Sequence, residues 1–132
     1  MSRWQARIQH VSVARPPGTD EQARQFYGEL LGLEEIVPPI SLQSLNVIWY
    51  RLGDTELHLL VEEPTGQDRS GRHFCLAVDD VEAMREHLEG FGVAVVGTTA
   101  IPGRPRYFVR DPFGNLIEIM TIEGDYRALE ST

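Results

Sequence analysis

Four side chains stand out by type and spacing: His10, His58, His73 and Glu118. Imidazoles and carboxylates are common ligands of divalent ions, and an imidazole also moves protons near neutral pH. From His10 to His58 is 48 residues, and from His73 to Glu118 is 45. Each lies in a short strand-like run: Ile8-Gln9-His10-Val11-Ser12-Val13, Thr55-Glu56-Leu57-His58-Leu59-Leu60, Arg72-His73-Phe74-Cys75-Leu76-Ala77-Val78 and Asn115-Leu116-Ile117-Glu118-Ile119-Met120. The chain thus reads as one pattern told twice, each half opening on a His and closing on a His or Glu. Two such halves about a pseudo-twofold axis would bring four donors to one cation.

Strand side chains alternate between faces, so odd and even positions separate. Leu57, Leu59 and Val61 oppose Glu56, His58 and Leu60; Ile117 and Ile119 oppose Leu116, Glu118 and Met120. Phe74, Leu76 and Val78 oppose His73, Cys75 and Ala77, and Val11 and Val13 oppose Ile8, His10 and Ser12. In all four runs the more apolar row is expected to pack under helices, with the donor on the other face. His87 lacks this support and reads as a surface histidine beside Glu86.

The elements that must hold these strands are marked by turn and cap residues. Arg15-Pro16-Pro17-Gly18 ends the first strand, because proline and glycine continue neither strand nor helix well. Thr19 or Asp20 offers a helix N-cap, with Gln22 placed as in a capping box. Ala23, Phe26, Tyr27, Leu30 and Leu31 follow at helical spacing, and Gly32 suits the left-handed residue after a helix. In the second half Asp79 or Asp80 caps a helix with the stripe Val81, Met84, Leu88 and Phe91. Each half then predicts a hairpin: 46–52 with 55–62 through Gly53-Asp54, and 106–110 with 116–122 through Asp111-Pro112-Phe113-Gly114-Asn115. The polar, glycine-containing stretch 64–70 joins halves of about 6–63 and 71–123 within a single domain, 1–132. The segment after Gly124 is left unassigned.

A chain of 132 residues that is 42% hydrophobic can bury a core. A net charge of −8 disfavours nucleic acid and an anionic membrane surface. No apolar run reaches membrane-spanning length, and residues 1–7 lack the apolar core of a signal peptide. The lone Cys75 forms no internal disulfide, so a cytoplasmic location is expected.

The βαβββ repeat, the segment Phe26-Tyr27-Gly28-Glu29-Leu30-Leu31-Gly32-Leu33 and the run Asp111-Pro112-Phe113-Gly114-Asn115-Leu116-Ile117-Glu118 resemble the vicinal oxygen chelate superfamily. It holds glyoxalase I, methylmalonyl-CoA epimerase, fosfomycin-resistance enzymes, extradiol dioxygenases and bleomycin-resistance proteins. The resemblance spans residues 6 to about 122. It implies an α+β fold of two βαβββ modules, a cupped mixed sheet around a metal cleft, and helices on the outer face. It also implies one divalent ion (Fe, Mn, Zn, Ni or Co), a small-molecule substrate and a homodimer. By position, His10, His73 and Glu118 match the shared metal ligands, and His58 falls at a fourth-ligand position.

His58 separates the chemistries. As a fourth ligand it suits Lewis-acid work of the glyoxalase or epimerase kind on a substrate with two neighbouring oxygens. Standing off the metal, it resembles the acid–base histidine of extradiol dioxygenases, beside a two-His, one-carboxylate triad. The first reading is therefore a metal-dependent lyase, isomerase or epimerase with His58 and Glu118 as catalytic groups. The second is a small dioxygenase, and the third a metal-free binding protein of the bleomycin-resistance kind. Arg104 and Arg106 are candidates for binding a substrate carboxylate. Trp49, Tyr50, Tyr107 and Phe108 are candidates for lining the pocket, with strand alternation expected to send about half of them into the core, and Tyr107 lies close to a tyrosine that dioxygenases place near the metal. Cys75 reads as filler, and Asp111, Pro112, Gly114 and Asn115 as turn formers.

Overall fold

The computed structural model describes residues 3–64 and 70–130, and the chain divides into two compact units, Met1–Gln67 and Asp68–Thr132. Residues 65–69, most of the expected connection, lie outside the described residues. The architecture is α+β, with one mixed sheet in each unit.

The first unit runs β1 (His10–Arg15), α1 (Asp20–Ala23), β2 (Glu35–Ile36), β3 (Ile48–Leu52) and β4 (Thr55–Val61). Its strand order is β1-β4-β3-β2, with β1 parallel to β4 and the other pairs antiparallel. Parallel pairing needs a long crossover, which the helical segment and the β2–β3 excursion supply. α1 continues into a π-helical stretch, Arg24–Leu30, closed by a hydrogen bond from the Leu31 N–H back to the Phe26 carbonyl. The apolar spacing that predicts a helix here does not distinguish an α turn from a π turn. Ala23, Phe26 and Tyr27 from this segment are buried, as are Ile48, Tyr50, Leu57 and Leu59 from the sheet.

The expected capping box does not form. Thr19 holds the N-cap position, but its hydroxyl donates to the Pro16 carbonyl and accepts from Arg15 instead of capping the helix. Arg15 is the reason. Its side chain is fully buried, and its guanidinium donates to Asp20 Oδ1 at 2.7 Å and to the Asn46 carbonyl at 2.7 Å. The loop before the helix is thus organised around a buried cation. Gly32, with φ of +72°, ends the helical segment as its position predicts.

The second unit runs β5 (His73–Ala77), α2 (Val81–Gly90), β6 (Arg106–Arg110), β7 (Leu116–Met120) and α3 (Tyr126–Glu130). Its order is β5-β7-β6, with β5 parallel and β6 antiparallel to β7. The counterpart of β2 is reduced to a bridge between Val96 and Phe108. Leu76, Val81, Leu88, Tyr107, Val109, Ile117 and Ile119 form the core. Asp80 caps α2 by accepting from the Ala83 amide. The expected stripe ends early, since Phe91 is 67% exposed and lies past the helix end. At the β6–β7 turn, buried Asp111 accepts from the Phe113 and Asn115 amides through Oδ1 and from the Asn115 side chain through Oδ2.

Candidate metal centre

Each sheet presents one donor pair on the face opposite its core. In the first unit His10 pairs with Glu56 in the β1–β4 register, so His58 stands one diagonal step away on the same face. The His10 and His58 rings stack, with centroids 4.2 Å apart and planes 19° from parallel. Trp49, directly opposite His58 on β3, covers its other face at 3.7 Å and 7°. Sandwiched between two rings, His58 is buried although it lies on the polar side of β4.

The ring nitrogens of this pair are partly engaged. His10 Nδ1 donates to Gln9 Oε1 at 2.7 Å, and His58 Nε2 donates to Glu56 Oε1 at 2.9 Å. The His58 hydrogen bond is the leading cause that holds the Glu56 carboxyl below its ordinary pKa. The free lone pairs are then His10 Nε2 and His58 Nδ1. An imidazole binds an ion in its own ring plane, about 2.1 Å beyond the nitrogen. Two stacked rings at 19° share no such point, so a fourth-ligand role requires one ring to leave the stack.

The second unit repeats the diagonal. His73 pairs with Leu116 in the β5–β7 register, and Glu118 stands two residues further along the same face. His73 Nδ1 faces the Gly71 carbonyl at 2.8 Å, and its Nε2 faces Glu118 Oε1 at 3.0 Å. A carbonyl oxygen only accepts, so Nδ1 carries the proton. In the neutral ring Nε2 is then an acceptor pointed at a carboxylate, which is another acceptor. A cation between them, either a proton or a metal ion, resolves that contact. The 3.0 Å separation is that of a hydrogen bond, and the two donor types are also ones that bind divalent ions. An outer acceptor fixing each metal-binding imidazole is also the usual supporting pattern, which Gln9, Glu56 and the Gly71 carbonyl provide. Among the described residues, no group of three or more His, Cys, Asp or Glu side chains stands closely enough to hold an ion.

The neighbours of Glu118 depart from the sequence reading. Arg106 does not extend a free guanidinium towards a substrate: Nη1 donates to Glu118 Oε2 at 2.9 Å, while Nε and Nη2 donate to the Thr99 carbonyl. Arg104 is turned to the Gly103 and Gly124 carbonyls and lies over the Tyr126 ring. Tyr107 is in the core, not on the Glu118 face. It pairs with Ile119, and its hydroxyl donates to the Val81 carbonyl. Burial pushes that hydroxyl up to about 12, so it stays protonated at neutral pH. Phe108 is the residue opposite Glu118, its ring T-shaped to His73 with centroids 4.8 Å apart. Cys75 pairs with Glu118 from the other side. The residue as a whole is exposed, yet burial of its sulfur and then the Glu118 charge push the thiol up to about 11. His87 is exposed.

Sequence reasoning missed Gln9, Glu56 and the Gly71 and Thr99 carbonyls. Glu56 was open to detection, because it precedes His58 by two residues and so shares its face. The two carbonyls leave no trace in residue type.

The family model for the Glyoxalase/Bleomycin resistance protein/Dioxygenase superfamily matches residues 7–119. The chain belongs to that superfamily. A crystal structure of a Bacillus anthracis protein assigned to the glyoxalase family is 36% identical, with a TM-score of 0.84 over 92% of this chain and 99% of that one. Lactoylglutathione lyase from Agrobacterium tumefaciens, 21% identical, superposes with a TM-score of 0.67 over 88% and 93% of the two chains. A fosfomycin resistance protein from Listeria monocytogenes, 12% identical, reaches 0.76 over 96% and 98%. At those lower identities the likeness concerns the fold. No curated protein sequence matches the chain. The superfamily includes enzymes acting on small molecules, and no helix among the described residues is long and apolar enough to cross a membrane.

Proposed function

We propose that this superfamily member is a divalent-metal-dependent enzyme of the lyase, isomerase or epimerase type, acting on a small substrate with two neighbouring oxygens. The observation that supports the reading is the His73–Glu118 contact, where an imidazole nitrogen and a carboxylate oxygen, both of types that bind divalent ions, face each other at 3.0 Å while the Gly71 carbonyl holds the other ring nitrogen. His73 and Glu118 are the proposed seat of the ion. His10, with Nε2 free, is the third proposed ligand. When bound, the ion polarises a substrate carbonyl and offsets negative charge on its oxygens.

His58 is assigned the proton transfer. Glu56 fixes its tautomer by taking Nε2–H, which leaves Nδ1 to accept a substrate proton, and Trp49 holds the ring in place. Trp49 acts here by supporting His58. The placement of Tyr107 in the core removes one residue that the dioxygenase reading drew on. The proposal extends to a homodimer, which sedimentation would test.

The test compares metal-stripped protein with protein reloaded with Zn, Ni, Co, Mn or Fe. A hemithioacetal isomerase assay is run beside oxygen uptake with catechols. Metal-dependent isomerisation without oxygen consumption supports the proposal. Oxygen uptake, or turnover that survives stripping, would overturn it. Substrate binding without turnover in every metal form would favour the sequestering reading.

A further inference from the structure

We infer that Arg106 is a positioning residue that makes Glu118 a one-oxygen donor. Its guanidinium is held from both sides. Nη1 grips Glu118 Oε2 at 2.9 Å, while Nε and Nη2 share the Thr99 carbonyl at 3.2 and 2.8 Å. Anchored to the backbone in this way, the fork cannot follow the carboxylate if it rotates. Oε2 is therefore fixed, and Oε1 is left aimed at His73 Nε2.

The packing reinforces this orientation. Glu118 stands between diagonal neighbours on both flanking strands, His73 on β5 and Arg106 on β6. Phe108, directly opposite Glu118, lies T-shaped to the His73 ring and has the Arg106 guanidinium 6.0 Å from its centroid. The Glu118 and Arg106 side chains are only 7% and 15% exposed, so water competes little for either carboxylate oxygen. An ion held here would find Glu118 offering Oε1, since Oε2 is engaged by Arg106.

The ion part of this inference rests on the proposed metal site; the orientation of Glu118 does not. Two readouts separate them. The first is metal-free: ring-nitrogen signals of histidine-labelled protein, compared between wild type, R106Q and R106K. The His73 signals are expected to move in R106Q while those of His10, His58 and His87 stay. The second is affinity for Zn²⁺ alone, measured by competition with a chelating dye.

The sign of the affinity change is decisive. Loss of positioning weakens zinc binding about 10- to 100-fold in R106Q, the usual effect of removing a group that orients a ligand. Loss of a repelling charge would tighten it. Tighter or unchanged binding in R106Q therefore overturns the inference, as does an unmoved His73 spectrum. If wild type binds no zinc while the His73 signals still move, the metal site falls and the positioning role stands. Should R106Q fail to fold, R106K decides. An ammonium cannot bridge the Thr99 carbonyl and Oε2 as the fork does, so the His73 signals move in a folded R106K, and an unchanged spectrum overturns the inference.

Discussion

His73 and Glu118 meet from positions two residues out of register across β5 and β7, and His10 meets His58 by the same offset across β1 and β4. The two units thus place their donors by one rule: a residue on the parallel edge strand reaches diagonally to the strand that closes the repeat. The outcome differs because the closing residue differs. Glu118 takes His73 in the ring plane through Nε2, whereas His58 stacks on His10 face to face.

The ring stack predicts a spectroscopic signature. Trp49 lies flat on His58, while the other tryptophan, Trp4, is 76% exposed. In a W4F background, His58→Ala should shift the tryptophan emission to longer wavelength, since water reaches the uncovered indole face. An emission maximum unchanged from the W4F parent would show that the stack does not persist in solution.

Asp20 predicts acid sensitivity. The hydrogen bond from Arg15 is the main cause that lowers its folded-state pKa below the ordinary 3.8. A carboxyl with a depressed folded pKa contributes stability that is present above its unfolded value, about 3.9, and is lost as pH falls through the folded value. Asp20→Asn should therefore be less stable than wild type at pH 7, by about 1–2 kcal/mol after discounting for the partly exposed carboxylate. The gap should narrow below about pH 4. Urea unfolding at pH 7 and pH 3 checks both, and an equal gap at the two values would exclude the linkage.

Asp111 predicts a larger loss. Its buried carboxylate accepts from two backbone amides and from the Asn115 side chain, so Asp111→Ala leaves several donors without their acceptor. The expected cost is about 3 kcal/mol, the scale for hydrogen bonds to a charged group. Urea denaturation should show a lower midpoint at unchanged slope. A cost under about 1 kcal/mol would mean that the turn does not depend on this side chain.

Much of this arrangement was legible because strands alternate strictly. Leu57 and Leu59 are fully buried beside a polar-face His58, and Ile117 and Ile119 beside Glu118, as the period of two requires. The face of each donor thus followed from its neighbours. Hairpin register did not, and Tyr107 shows the consequence: one residue's difference moved it from the proposed pocket into the core, with Phe108 opposite Glu118. Thr19 had the right residue type for a cap, but buried Arg15, 31 residues from its partner Asn46, diverted the hydroxyl. Arg106 was read as a candidate for binding a substrate carboxylate, and its guanidinium is engaged by Glu118 and the Thr99 carbonyl. Its partners Glu118 and Thr99 come together only when β6 pairs with β7 and the preceding loop folds back.

Metal content of purified protein, measured by elemental analysis for wild type and for H10A, H73A and E118Q, tests the central claim most directly. The account predicts one equivalent of a divalent ion in wild type and its loss in H73A and E118Q. Loss in H10A as well would assign the third ligand to His10, whereas retention there would confine the seat to the His73–Glu118 pair. A full equivalent retained in both H73A and E118Q, or none in wild type after reloading, would contradict the account.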